Sequence, residues 1–161
     1  MTEERKCLAV VRVRGVGDAS PEIEETLEIL KLTRNCQITL VDNRPSFLGM
    51  LNKVRNFVTW GEITEDSILA LLKERGRLVG NNEIDDEYAK KIGYKSMEDL
   101  AEAAYKLQAE FRHLPGVKPV FRAHPPRKGY KGKIKKSYAG GGVTGYRGTA
   151  INKLILGRNL C

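Results

Sequence analysis

The chain has 161 residues, of which 41% are hydrophobic, and 28 Lys and Arg against 20 Asp and Glu give a net charge of +8. These values predict one soluble α/β-type domain and argue against a disordered chain. No apolar run is long enough for a membrane span, and no secretory signal can be read. The three cysteines lack C-x-x-C spacing, which argues against a disulfide framework or a metal site. We therefore expect a cytoplasmic protein without cofactors.

The first 41 residues predict a strand, a helix and a second strand. Residues 7–14 begin as an apolar run and then alternate, which predicts a strand with Arg12 and Arg14 on an open sheet face or its rim. Ser20 followed by a proline predicts the start of a helix that ends near residue 32. Residues 36–41 are rich in β-branched side chains and predict the second strand.

Helices dominate the next part of the chain. Ser46 predicts the start of a second helix that closes at Trp60-Gly61, with a buried stripe formed by Phe47, Leu51, Val54 and Val58. Thr64 and Gly76 bound a predicted third helix. Residues 81–108 read as a helical pair with mixed charges, which is typical of a solvated surface.

The last third predicts little regular structure. Residues 120–124 form a short strand flanked by prolines, which favours an edge position. Residues 125–142 predict a basic loop or hairpin, and residues 149–156 a last short helix. The order of elements predicts an α+β fold, a two-layer sandwich with helices on one face of a small sheet.

Charge is distributed very unevenly along the chain. Residues 111–161 carry 12 Lys and Arg and no acid, whereas residues 1–110 carry 16 Lys and Arg against all 20 acids. Within residues 127–138, cations alternate with tyrosines and glycines, a pattern that suits phosphate neutralisation and stacking on unpaired bases. This pattern predicts binding to folded RNA and not to duplex DNA or membranes, since nothing resembles a major-groove reading helix.

A glycine-rich stretch offers a competing interpretation. Residues 140–145 match G-x-G-x-x-G, but no predicted strand precedes them and no acid follows. A glycine segment that approaches phosphates and a plain linker are equally good interpretations. No catalytic motif is present, so we predict that the chain is not an enzyme. A nucleotide-using enzyme built on this stretch and a free RNA chaperone remain the rival hypotheses.

Four long segments resemble a known family. CLAVVRVRG (7–15), DNRPSFLGMLNKVRNFVTWGEI (42–63), FRAHPPRKGYKG (121–132) and GYRGTAINKLI (145–155) are similar to the large-subunit ribosomal protein family L-thirty in its archaeal form, which is related to the eukaryotic protein L-seven. The resemblance implies a β-α-β-α-β core somewhat like a ferredoxin fold. It also implies a structural role in the large ribosomal subunit, with large-subunit rRNA and other ribosomal proteins as partners. Contact with 5S rRNA stays open.

The resemblance and the charge pattern together define the expected organisation and binding residues. We expect a β-α-β-α core over residues 1–76, a helical insertion over 77–110, and a third strand with a basic extension over 111–161. Phe47 should lie in the core. The predicted RNA-binding residues are Arg12, Arg14, Arg44, Lys53, Arg55, Arg112, His113, Arg122, His124, Arg127, Lys128, Tyr130, Lys131, Lys133, Lys135, Lys136, Tyr138, Tyr146 and Arg147.

Overall fold

A computed structural model describes residues 6–14, 20–80, 82–108, 116–118, 120–123 and 136–157. These residues contain a five-stranded mixed sheet. In chain order its strands are β1 (Cys7–Arg12), β2 (Gln37–Asp42), β3 (Val58–Glu62), β4 (Phe121–Arg122) and β5 (Gly145–Tyr146). The spatial order is β4-β2-β1-β3-β5.

The central strand β1 is antiparallel to both of its neighbours. Val10 lies opposite Thr39 of β2 on one side and opposite Trp60 of β3 on the other. The two short strands of the last third occupy the two edges. β4 is antiparallel to β2, which confirms the predicted edge position, and β5 runs parallel to β3.

Six α-helices accompany the strands in the described residues. They are α1 (Pro21–Ile29), α2 (Pro45–Lys53), α3 (Glu65–Glu74), α4 (Asp86–Lys91), α5 (Met97–Tyr105) and α6 (Ala150–Asn152), which continues as a π-turn over Lys153–Gly157. Thr64, Asp85 and Ser96 cap α3, α4 and α5 by accepting backbone N–H groups. The predicted α+β class, with its β-α-β-α-β core, is therefore confirmed.

Helices cover both faces of the sheet. Because side chains alternate along β1, Leu8 and Val10 pack with α1 and α2, whereas Ala9 and Val11 pack with α3, α5 and α6. The predicted arrangement, with helices on one face, holds for α1 and α2 of the core. It omitted the second helical layer, which α3 and the elements after it supply.

The end of the second helix was predicted wrongly. Val58 follows Leu51 and Val54 at helical spacing, so the helix was extended to Trp60-Gly61. Instead α2 ends at Lys53, and residues 58–62 form β3, an interior strand of the sheet. A short apolar run cannot be assigned to a helix or a strand from its periodicity alone.

Arg12 is a second correction, because it does not lie on an open face or its rim. Its side chain is 0% exposed. The guanidinium donates to the carbonyls of Leu32 (2.7 Å) and Arg14 (2.9 Å) and pairs with Glu24 at 3.2 Å. With α1 covering this side of the sheet, Arg12 ties β1 to the end of that helix and is not available to RNA.

Candidate nucleic-acid interface

The end of helix α2 and the turn after it present cations to solvent. Leu51 and Val54 face the core, while Lys53 and Arg55 are exposed. The first turn of α2 contains no acid, so no carboxylate of that turn offsets these charges. This surface has the arrangement expected for contacts with a phosphate backbone.

Arg44 is held in one orientation at the start of α2. Its Nε donates to Asp42 Oδ1 at 2.8 Å, its terminal nitrogen donates to Asp42 Oδ2 at 2.7 Å, and its guanidinium carbon lies 5.1 Å from the centre of the Phe47 ring. Asp42 is buried, whereas the Arg44 side chain is 42% exposed. Phe47 was predicted in the core, but it is only half-buried and packs against the edge of the core. The guanidinium therefore offers a fixed planar face to solvent.

Two further arginines lie on other parts of the surface. Arg14 is half-buried, with its guanidinium carbon 4.9 Å from the centre of the Phe57 ring. Arg122 is exposed on edge strand β4, where its neighbour Phe121 points into the core. The structure therefore places Arg122 on the solvent side of an edge strand.

Arg147 is engaged within the protein. Its Nε donates to Thr59 Oγ1 at 2.7 Å and a terminal nitrogen donates to the Val143 carbonyl at 2.5 Å. The guanidinium carbon also lies 4.9 Å from the centre of the Tyr138 ring. These contacts hold the segment before β5 against β3, and the Tyr138 ring that stacks with Arg147 is 42% exposed.

The glycine-rich stretch forms an ordered turn. Gly141 has a φ of 88°, a left-handed conformation that ends a 3-10 turn over residues 138–140. A Cβ on Gly142 would collide with the backbone of Lys136, which is exposed at the edge of this turn. Backbone conformation and close packing therefore account for both glycines without a nucleotide.

Tyr146 is exposed but firmly held. Its ring centre lies 6.4 Å from that of Trp60, and its hydroxyl donates to Glu62 Oε1 at 2.5 Å. The hydrogen bond to Glu62, more than partial burial, raises the pKa of Tyr146 to about 12. The side chain is 53% exposed, so an ordered aromatic surface faces solvent.

A cleft lies between the start of α2 and strand β5. It has a volume of about 470 Å³ and is lined by Lys6, Leu8, Asn43, Leu48, Trp60, Glu62 and Tyr146. The fold thus brings the segment after β2 next to the segment containing β5, although about 100 residues separate them. Sequence reasoning missed Lys6, Asn43 and Glu62, because only the pairing of β5 with β3 brings them to Tyr146.

The described residues contain no cluster of three or more His, Cys, Asp or Glu that could hold a metal, and none of their helices is long and apolar enough to cross a membrane. Burial, followed by the charge of Asp42, raises the pKa of the Cys7 thiol to about 12, so that thiol is not a nucleophile. Nine predicted binding residues lie outside the described residues: Arg112, His113, His124, Arg127, Lys128, Tyr130, Lys131, Lys133 and Lys135.

Exposed cations beside aromatic rings on a folded scaffold are typical of proteins that bind nucleic acid. The family described as "Ribosomal protein L30p/L7e" matches residues 8–58. Among curated relatives, "Large ribosomal subunit protein uL30" of Methanopyrus kandleri is 48% identical and covers 89% of this chain and 97% of its own length. The proteins of that name from Thermofilum pendens and Archaeoglobus fulgidus are 46% and 45% identical, each over 91% of this chain and over 95% and 96% of their own lengths. The chain belongs to the ribosomal protein L30p/L7e family.

Proposed function

We propose that this chain is a structural, non-catalytic component of the large ribosomal subunit, which binds folded rRNA through its acid-free last third. One observation carries the proposal: 12 cations and no acid lie in residues 111–161. Such a segment repels itself unless a polyanion neutralises it. Family membership identifies that polyanion as rRNA, and it makes other large-subunit proteins the neighbours of the chain in the cytoplasm.

The basic segment, defined as the residues between β4 and β5, is anchored to the sheet at both ends. Residues 121–122 pair with β2 at one edge of the sheet, and residues 145–146 pair with β3 at the other edge. Phe121 and Ile151 are completely buried on either side of it. Because neighbouring strands lie ~4.8 Å apart, the two edges are separated by about 19 Å. The two ends of this segment are thus fixed to opposite edges of one sheet.

Three cations of the core add to this surface. Lys53 and Arg55 are exposed at and after the end of α2, and Arg44 offers a fixed planar face at the start of the same helix. Arg44 suits a phosphate or a stacked base, since guanidinium groups serve both. We propose that α2 and the basic segment bind the same RNA.

The salt dependence of RNA binding tests the proposal. The variant Lys131→Gln, Lys133→Gln, Lys135→Gln removes three charges from the basic segment. Its matched control, Lys90→Gln, Lys91→Gln, Lys95→Gln, removes three exposed charges from the helical region. Each lost phosphate contact should reduce the slope of log affinity against log salt by about 0.7–0.9, so the first variant should lose about 2–3.

Binding of large-subunit rRNA is measured for both variants between 50 and 200 mM salt. Over this range, added salt weakens the affinity of a protein with 6–10 phosphate contacts by about 10³–10⁵-fold. The control should keep the slope of the unmodified chain. Equal slopes for both variants would exclude the basic segment as the anchor. A slope near zero for the unmodified chain would contradict RNA binding altogether.

A further inference from the structure

The cleft beside Tyr146 is assembled from four separate parts of the chain. Its floor consists of Leu8 on β1 and Trp60 on β3, both buried. Tyr146 on β5 forms one wall, and Leu48 on α2 contributes to another. Its volume of about 470 Å³ lies within the range of roughly 300–1,000 Å³ that is usual for small-molecule sites, and the cleft is open to solvent on one side.

The aromatic wall is fixed before any ligand arrives. Tyr146 donates to Glu62 Oε1 at 2.5 Å, and its ring is tilted by 51° against Trp60. Glu62 belongs to the same strand as Trp60, and β3 is paired on both sides. An exposed ring held in this way offers its face for stacking without a further loss of side-chain freedom.

The charges that line the cleft disfavour a phosphate beside Glu62 and a cation beside Lys6. The carboxylate of Glu62 lines the cleft and repels phosphate oxygens, while Lys6 lines it as well and opposes an incoming Lys or Arg from another protein. The Glu62 carboxylate accepts hydrogen bonds from amino groups, and it has a second oxygen besides Oε1, which accepts from Tyr146. Asn43 Oδ1 already accepts the backbone N–H of Lys6 at 3.1 Å, so Asn43 contributes a polar side chain to the cleft and Glu62 contributes the main acceptor. A flat ring with apolar faces and an amino group on its edge can stack on the aromatic and apolar side chains and donate to Glu62.

We propose that this cleft binds a single unstacked base of rRNA that carries an exocyclic amino group, namely adenine, cytosine or guanine. The base stacks on Tyr146 above Leu8 and Trp60, and its amino edge faces the polar side chains Glu62 and Asn43. Lys6 neutralises a phosphate of the same strand. This inference rests on the proposed function and extends it from phosphate contacts to the reading of one base.

Chemical probing of bound rRNA tests the inference. Dimethyl sulfate modifies unpaired adenine and cytosine, kethoxal modifies unpaired guanine, and primer extension locates each modified base. The full chain is compared with Tyr146→Ala, which removes the wall, and with Glu62→Ala, which removes the oxygens that accept from the amino group and from Tyr146. Tyr105→Ala is the control, because this tyrosine is 44% exposed on α5, which packs on the opposite face of the sheet.

The full chain and Tyr105→Ala should protect one unpaired base that both cleft variants leave reactive. Tyr146→Ala should weaken rRNA binding by about 5- to 150-fold, the range for loss of one stacked base. The salt slope should not change, because no phosphate contact of the basic segment is removed.

Three results would overturn the inference or its basis, and they differ from one another. Identical protection by the full chain and both cleft variants would show that the cleft holds no base. If the cleft crosslinks to another protein and not to RNA in assembled subunits, the cleft holds a side chain of that protein and not a base. Salt-independent binding by the full chain would instead contradict the proposed function. Glu62→Ala keeps the test valid if Tyr146→Ala does not fold.

Discussion

At the scale of single residues, Arg12 shows how burial changes the meaning of a charge. Its position between two valines in an alternating strand predicted a solvent-facing side, yet α1 covers that side. The residues around Arg12 do alternate, but alternation does not tell whether helices cover the side of the strand that carries the arginine. The two carbonyls that Arg12 serves, on Leu32 and Arg14, have no sequence signal.

The stability of an Arg12→Met variant tests this internal role. Methionine fills a similar volume without donors, so the buried Leu32 carbonyl loses the bond from Arg12, and we expect the free energy of unfolding to fall by about 1–3 kcal/mol. Arg34→Met is the control, because Arg34 is exposed and its replacement should change stability by less than about 0.5 kcal/mol. Urea unfolding measures both. Unchanged stability together with a reduced salt slope in RNA binding would instead return Arg12 to the RNA surface.

At the scale of elements, the close approach of β3 to the last segment depends on a glycine. A Cβ on Gly61 would collide with the carbonyl oxygen of Gly148, and the backbone on both sides is fixed by strand pairing and by the Arg147 N–H bond to Trp60. We therefore expect Gly61→Ala to destabilise the protein by about 1–3 kcal/mol.

Gly49 is the matched control for this change, because it lies in α2 and nothing lies within 4 Å of a Cβ built there. Alanine is favoured over glycine in a helix, so Gly49→Ala should stabilise the protein by about 0.5–1 kcal/mol. Urea unfolding of both variants decides the point. A neutral Gly61→Ala would mean that residues 145–155 do not depend on this approach to β3.

The elements also show what the sequence supports and where it fails. The bounds Thr64 and Gly76 predicted α3 well, and the helical pair predicted over residues 81–108 is present as α4 and α5, because capping residues such as Thr64 and Ser96 act locally. Strand β3 was read as the end of a helix, and the two-residue β5 has no periodicity to detect. The cleft was missed for the same reason, since Glu62 and Tyr146 meet only through the pairing of these two strands.

At the scale of the whole molecule, the segment that carries the charge also completes the core. The division into residues 1–76, 77–110 and 111–161 within a single domain stays a prediction, but the packing indicates that its parts depend on one another. Phe121, Ile151 and Ile155 are completely buried, and Leu154 and Val117 nearly so, in the core beneath α3 and α5. Residues 1–110, which contain all the acids, and residues 111–161, which contain none, therefore differ in charge but share one hydrophobic core.

A chain cut after residue 110 tests this dependence. At about 2–5 kcal/mol each, the loss of even three large buried side chains costs about as much as the roughly 5–15 kcal/mol that stabilises a whole domain. We expect residues 1–110 to show no cooperative urea transition and poor dispersion of backbone amide signals. The Lys131, Lys133 and Lys135 variant should unfold like the unmodified chain, since its changes remove charge and no apolar contact of the described core. A cooperative transition in the shortened chain would show that the first 110 residues fold alone, and that the last third serves RNA without supporting the core.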